Sequence, residues 1–186
     1  AKDLAQEARP YSASPAQPTR SLLVVGDSTA VGTGAARPEE SLVGLIGQAH
    51  PDWRIDNRAV NGARFADVVL QRQAAPAGYD LVLVLAGGND VIRLTRQDTL
   101  RAQLEEVATL AQQRGSRVVL MPSGNVGHAP FFLPPVSWLM GEGSQNLHAA
   151  VPQVAATHPM RYVRLLKPKE SDPFVAQRAV LHAAAG

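Results

Sequence analysis

Short apolar runs alternate along this chain with longer stretches in which apolar residues recur every three or four positions. Residues 22–25 (L-L-V-V) form one such run, and residues 80–86 (D-L-V-L-V-L-A) contain a longer one. Runs without polar alternation suit strands covered on both faces of a parallel sheet. Trp53 opens a second strand extending to about Val60, interrupted by Asp56, Asn57 and Arg58; residues 117–121 form a fourth and 162–165 a fifth. Between them the period becomes helical. Leu42, Leu45, Ile46 and Ala49 follow the start signal Pro38-Glu39-Glu40, and Phe65, Val68, Val69 and Arg72 fit a short helix. Leu100, Leu104, Val107, Ala108 and Ala111 share one face of a helix from about Gln97 to Gln113, with Thr95 and Asp98 able to cap it and Gly115 as its stop. Residues 144–156 read as a last helix that Pro152 weakens in its middle. Strands alternating with helices predict an α/β sandwich around a mainly parallel sheet.

Residues 1–20 carry Pro10, Pro15 and Pro18 among Ser, Gln and Ala, and are read as an extended lead-in or linker ahead of one domain over 21–186. The sequence opens on Ala1 rather than Met, which suggests that the natural start, with any signal or anchor, has been removed. Apolar content of 45% and charged content of 18% belong to an ordinary globular chain. A net charge of +2 with scattered Arg and Lys argues against a nucleic-acid partner. With no cysteine, disulfides, zinc–thiolate sites and a thiol nucleophile are excluded. No apolar run reaches the roughly 18 residues of a membrane span. His, Asp and Glu show no metal-ligand spacing, so no metal is expected.

Candidate chemistry enters at the strand ends. Gly26-Asp27-Ser28, Asn61-Gly62 and Gly87-Gly88-Asn89-Asp90 close the first three strands, and right-handed crossovers bring all three turns to one sheet edge. A serine there, with a backbone N–H bared by glycine and an asparagine amide, is what acyl transfer requires: a nucleophile and donors where the carbonyl oxygen turns negative. Taken singly, these dipeptides are common turns, and residues 26–34 also suit a phosphate-cradling loop. That loop has neither the P-loop lysine nor G-x-G-x-x-G spacing, which sets a nucleotide binder well behind.

The ordered set resembles the SGNH (GDSL-type) hydrolases, a family of esterases, lipases, thioesterases and carbohydrate deacetylases. Residues 26–32 (G-D-S-T-A-V-G) look like the family's first block, Gly62 its second and residues 87–90 (G-G-N-D) its third, the likeness running from about Ser21 to Phe174. The resemblance implies a flavodoxin-like three-layer α/β/α sandwich with a five-stranded, mainly parallel sheet in the order 2-1-3-4-5. It implies Ser28 as nucleophile, and the Ser28 N–H, Gly62 N–H and Asn89 side chain as oxyanion hole. The substrate would be a small ester or thioester, a lipid or an acylated sugar, cleaved without a cofactor. Exported or anchored bacterial relatives, with the linker-like start, point outside the cytoplasm. Acyl length, oligomeric state and compartment stay open.

The last block departs from the family's D-x-x-H. His182, in A-V-L-H, is the only late histidine and the best base, but Ala179 stands where the aspartate belongs and Asp172 lies ten residues earlier. Either residues are missing near the C-terminus, the favoured reading, or His182 acts alone or with a recruited Asp172, or the enzyme is impaired. The last case would make the chain a non-catalytic binding module on the same fold. Asp27 is expected to hold its turn and Asp90 to brace the third loop. His128, in S-G-N-V-G-H-A-P after the fourth strand, is a minor candidate for base or substrate contact, whereas His50 reads as a cap and His148 and His158 as solvated. Residues 129–141 carry no charge and five large aliphatic or aromatic types, which suits an acyl-groove wall, a lid or a loop packed back on the domain.

Overall fold

A computed structural model of the chain describes residues 8–113, 116–129 and 132–166. Gly115, Asp172, Ala179 and His182 lie outside the described residues. Five strands, β1 (Arg20–Gly26), β2 (Trp53–Asn57), β3 (Leu81–Leu85), β4 (Arg117–Leu120) and β5 (Met160–Tyr162), form one sheet in the order β2-β1-β3-β4-β5. Every pairing is parallel, with Val24 opposite Asn57 on one side of β1 and Gly26 opposite Leu85 on the other. The expected fold class and strand order are observed.

The six described α-helices are α1 (Ser28–Val31), α2 (Leu42–Ala49), α3 (Phe65–Ala74), α4 (Gly88–Ile92), α5 (Gln97–Gln113) and α6 (Val136–Ala155). Side chains of β1 alternate between two cores, one on each face of the sheet. Leu23 and Val25 meet Phe65, Val68, Leu104 and Leu147 on one face; Leu22 and Val24 meet Val31, Val43 and Ile55 on the other. Burial on both faces is why β1 and β3 read as unbroken apolar runs.

Three elements differ from the sequence expectation, each for a local reason. β2 ends at Asn57 instead of continuing toward Val60, because the Asn57 side chain turns the chain: Nδ2 donates to Ala30 O (2.8 Å) and Oδ1 accepts from Ala59 N (3.1 Å). α6 starts at Val136, well before Ser144, and buries Ser137, Met140, Ser144, Leu147 and Val151 at helical spacing. Its first turns escaped notice because exposed positions there, Trp138 and Leu139, are as apolar as the buried ones. Half of the uncharged stretch is therefore helix. Pro152 sits inside α6, one turn from its end and on its exposed side. β5 occupies Met160–Tyr162 rather than 162–165.

Within the described part of the lead-in, Ala13 exchanges two backbone hydrogen bonds with Ile55 (2.9 and 2.8 Å) in an antiparallel bridge at the outer edge of β2. Tyr11 lies so close to Gly47 of α2 that a Cβ there would sit 2.4 Å from its ring.

Candidate active site

β1 carries the chain into the first polar turn, where geometry leaves no choice of residue at position 26. Gly26 has φ 149°, and a Cβ on it would lie 1.9 Å from the Leu85 carbonyl oxygen of the adjacent strand. Asp27, buried, then caps α1 by accepting from the Thr29 N–H (2.9 Å), while its own N–H donates to Leu85 O (2.9 Å). Burial pushes the Asp27 carboxyl above the usual range against the pull of that Thr29 bond. Ser28, half-buried, is the first residue of α1, a position whose N–H has no intrahelical acceptor.

Side-chain bonds tie the three turns together. Thr33 Oγ1 donates to Asn61 Oδ1 (2.7 Å), linking the segment that follows α1, the helix begun by Ser28, to the second turn. Asn89 Nδ2 donates to Ala63 O (3.1 Å), linking the third to the second. Asp90 closes the set: it is 1% exposed, accepts from the Phe65 N–H at the start of α3 (3.1 Å), and receives the Thr95 hydroxyl (3.4 Å). Burial pushes its carboxyl up to about 6, with the Phe65 N–H and the Arg64 charge pulling the other way. Gly62 is exposed with φ 79°, in open space. That conformation, rather than crowding, favours glycine there. Behind the third turn, a cleft of about 250 Å³ between the α4–α5 connection and α6 is lined by Asp90, Leu94, Leu139 and Glu142.

The remaining candidates are histidines outside the three turns. His128 ends a 3₁₀ turn (Val126–His128) after β4, where its Nε2 meets the Asn125 side-chain amide at 3.2 Å. His50 is exposed, caps the end of α2 and stacks on Trp53. His148, expected in solvent, is instead buried on the inner face of α6. Its Nε2 donates to Ser123 O (2.8 Å), since a carbonyl only accepts, and this leaves Nδ1 to accept from the Tyr162 hydroxyl. The helix expected over 144–156 puts His148 on one face with Ser144 and Val151, but a histidine carries no local mark of the Tyr162 and Ser123 partners that satisfy it when buried. His158 is half-buried, with Nε2 3.1 Å from Thr109 Oγ1. Among the described residues, no group of three or more His, Asp or Glu is placed to hold a metal ion, and no helix is long and apolar enough to cross a membrane.

A fold of this order with its polar turns gathered at one edge invites comparison with known proteins, and the model of the GDSL-like lipase/acylhydrolase family matches residues 24–184. The chain belongs to that family. It is therefore a member of a hydrolase family, and solved structures share its fold. TesA superposes with a TM-score of 0.64 at 24% identity, over 77% of each chain. The SGNH-hydrolase family esterase AlinE4 gives 0.61 at 21% identity, over 92% of this chain and 98% of its own. Axe2, an acetyl xylan esterase from Geobacillus stearothermophilus solved as its W215I variant, gives 0.60 at 19%, over 89% and 82%. No curated protein matches the chain in sequence.

Two residues of this family member's edge went unread in the sequence. Thr33 lies just past the first block, between two glycines that draw the eye to the backbone, and Gln71 is a single polar residue with no motif around it. Gln71 Oε1 accepts from the Gly26 N–H (2.8 Å), and its Nε2 donates to Gly26 O (3.1 Å). A lone glutamine on an amphipathic helix gives no sign that both ends of its amide are used.

Proposed function

We propose that the chain is a serine ester hydrolase working through an acyl-enzyme on Ser28. The observation carrying this reading is the set of hydrogen bonds Thr33–Asn61, Asn89–Ala63 and Asp90–Phe65, which tie together the segments that carry Ser28, Gly62 and Asn89. In the reaction, Ser28 Oγ attacks the ester carbonyl and passes its proton to a histidine, His182. The Ser28 and Gly62 N–H groups and the Asn89 amide receive the negative charge on the carbonyl oxygen. Asn89 spends one N–H on Ala63 and has a second for the substrate. Preorganised donors of this kind contribute about 10²–10³ in rate each. The protonated histidine then gives its proton to the departing alcohol. Water, activated by the same histidine, attacks the acyl-enzyme and releases the acid and free Ser28.

Small esters, lipid esters and acylated sugars all offer the carbonyl this chemistry needs. The acetyl xylan esterase and lipase activities named for its structural relatives fall within that range. A second reading, a binding module without turnover, is favoured by one observation: Ala179 occupies the position of the aspartate that would orient His182. Hydrolysis of p-nitrophenyl acetate and butyrate, measured beside Ser28→Ala, separates the two. Turnover abolished in the variant supports the serine mechanism, whereas equal, negligible rates in both proteins leave the binding module.

A further inference from the structure

We propose that Gln71 is a positioning residue for the nucleophile turn, its side-chain amide standing in for a strand partner at the end of β1. This rests on the ester-hydrolase reading above. β2 runs beside β1 only as far as Asn57, opposite Val24. Beyond that point Arg58 N donates to Val24 O and Val60 N to Gly26 O (2.9 and 3.1 Å), so the departing chain still feeds the carbonyls of β1. The Gly26 N–H faces the same side and meets no strand carbonyl; it meets Gln71 Oε1 instead. Nε2 of the same amide returns to Gly26 O. One side chain thus reproduces the donor–acceptor pair of a peptide group on the residue two positions before Ser28.

That residue needs holding. Gly26 is compelled to be glycine by the Leu85 carbonyl, and glycine is the residue with the greatest backbone freedom. The freedom falls at the pivot from which the Asp27–Ser28 turn springs. On the β3 side the Asp27 N–H is fixed to Leu85 O; on the β2 side Val60 N reaches only the Gly26 carbonyl, and Gln71 holds the Gly26 N–H as well. Gln71 is also well placed to keep the turns in mutual register. It belongs to α3, whose first residue gives its N–H to Asp90, and Ala63, just upstream, accepts from Asn89. Nucleophile turn and oxyanion turns are therefore referenced to one helix about three turns long. Misplacing a reacting group by about 1 Å costs on the order of 10²-fold in rate.

The test uses the wild-type protein, Gln71→Met, Gln71→Glu and Ser28→Ala, with p-nitrophenyl acetate between pH 5 and 8. Gln71→Met keeps the length and removes both hydrogen bonds; kcat is expected to fall about tenfold or more with KM within about twofold and the fold retained by circular dichroism. Gln71→Glu is isosteric and, when protonated, both donates and accepts; ionised, it has nothing to give Gly26 O. Its activity relative to Gln71→Met is expected to climb as pH falls, a signature that loss of packing alone does not produce. A Gln71→Met enzyme with wild-type kcat, or a flat pH ratio, overturns the inference. Amide exchange at Gly26, read by NMR in the same proteins, needs no turnover: exchange about tenfold faster in Gln71→Met supports the inference, and unchanged exchange overturns it. A wild type with no Ser28-dependent hydrolysis overturns the proposed function instead, and the exchange rates then decide Gln71 alone.

Discussion

Asp90 and His148 are both buried near the carboxyl edge of the sheet, both join separate segments, and both have lost their water, yet they are wired in opposite senses. Asp90 accepts from the Phe65 N–H and the Thr95 hydroxyl, so its bonds favour the carboxylate while burial favours the acid. The two pulls leave it titrating at about 6, within reach of ordinary solution conditions. His148 lies between a carbonyl it donates to and a hydroxyl it accepts from, an arrangement that only the neutral ring satisfies. Burial holds its pKa below the usual 6.5, and the nearby Arg164 charge adds to that. The acid sits beneath the turns carrying Asn89 and Gly62; the histidine sits beneath β4 and β5, where none of the three polar turns originates. The lesson is that desolvation can leave a group either poised or locked, according to whether its partners prefer the charged or the neutral form.

Breaking the Asp90 side of this comparison should have the largest effect. Asp90→Ala strands the Phe65 N–H and loosens the second and third turns together, and we expect a kcat loss on the order of 10²-fold. The same change is expected to cost about 2–3 kcal/mol of stability, measured by urea unfolding, because a buried donor loses its partner. Asp90→Asn keeps an oxygen acceptor and should recover most of the stability. Wild-type kcat in Asp90→Ala would show that the acid is structural only.

His148→Leu probes the other side. It leaves the Tyr162 hydroxyl and Ser123 carbonyl without their shared partner and should cost about 2 kcal/mol, with kcat on folded protein kept within about twofold. A large kcat loss at unchanged stability would put His148 among the groups serving the reaction.

The smallest effect, and the sharpest, is the pH dependence. Asp90 has a folded pKa raised from 3.8 to about 6, so its contribution is fully present below about pH 4 and is lost as pH rises through 6. The stability difference between wild type and Asp90→Asn should therefore shrink by about 1–2 kcal/mol over that interval. His148 has a lowered folded pKa, so its contribution is present above pH 6.5 and is lost as pH falls below it. The wild-type advantage over His148→Leu should shrink in acid. Two stability differences that slope the same way with pH would dissolve the distinction between the two groups.

Much of this architecture was legible in the residues. The runs at 22–25 and 80–86 announce strands because full burial on two faces erases polar alternation, and the helical stripes of α3 and α5 appear in place because one face of each is apolar and the other is not. Ser28, Gly62 and Asn89 stand out as candidates for a different reason: turns need glycine, asparagine and aspartate, and here three such turns follow one another in order. Where both faces of an element were apolar, as at the start of α6, the pattern had no contrast, and the first two turns of that helix were missed.

What the sequence by itself determined is the set of features that depend on neighbours a few residues apart: strand and helix periods, caps, turns and the order of the three polar blocks. Only the tertiary structure decided that Gln71 would meet Gly26, that Thr33 would meet Asn61, that Asp90 would reach Phe65, and that His148 would lie between Tyr162 and Ser123. Each of these contacts joins residues 14 to 45 positions apart. A polar side chain carries no local mark of the distant partner it will find. Its partner is chosen by the packing of helices on the sheet, and only that packing brings donor and acceptor within bonding distance.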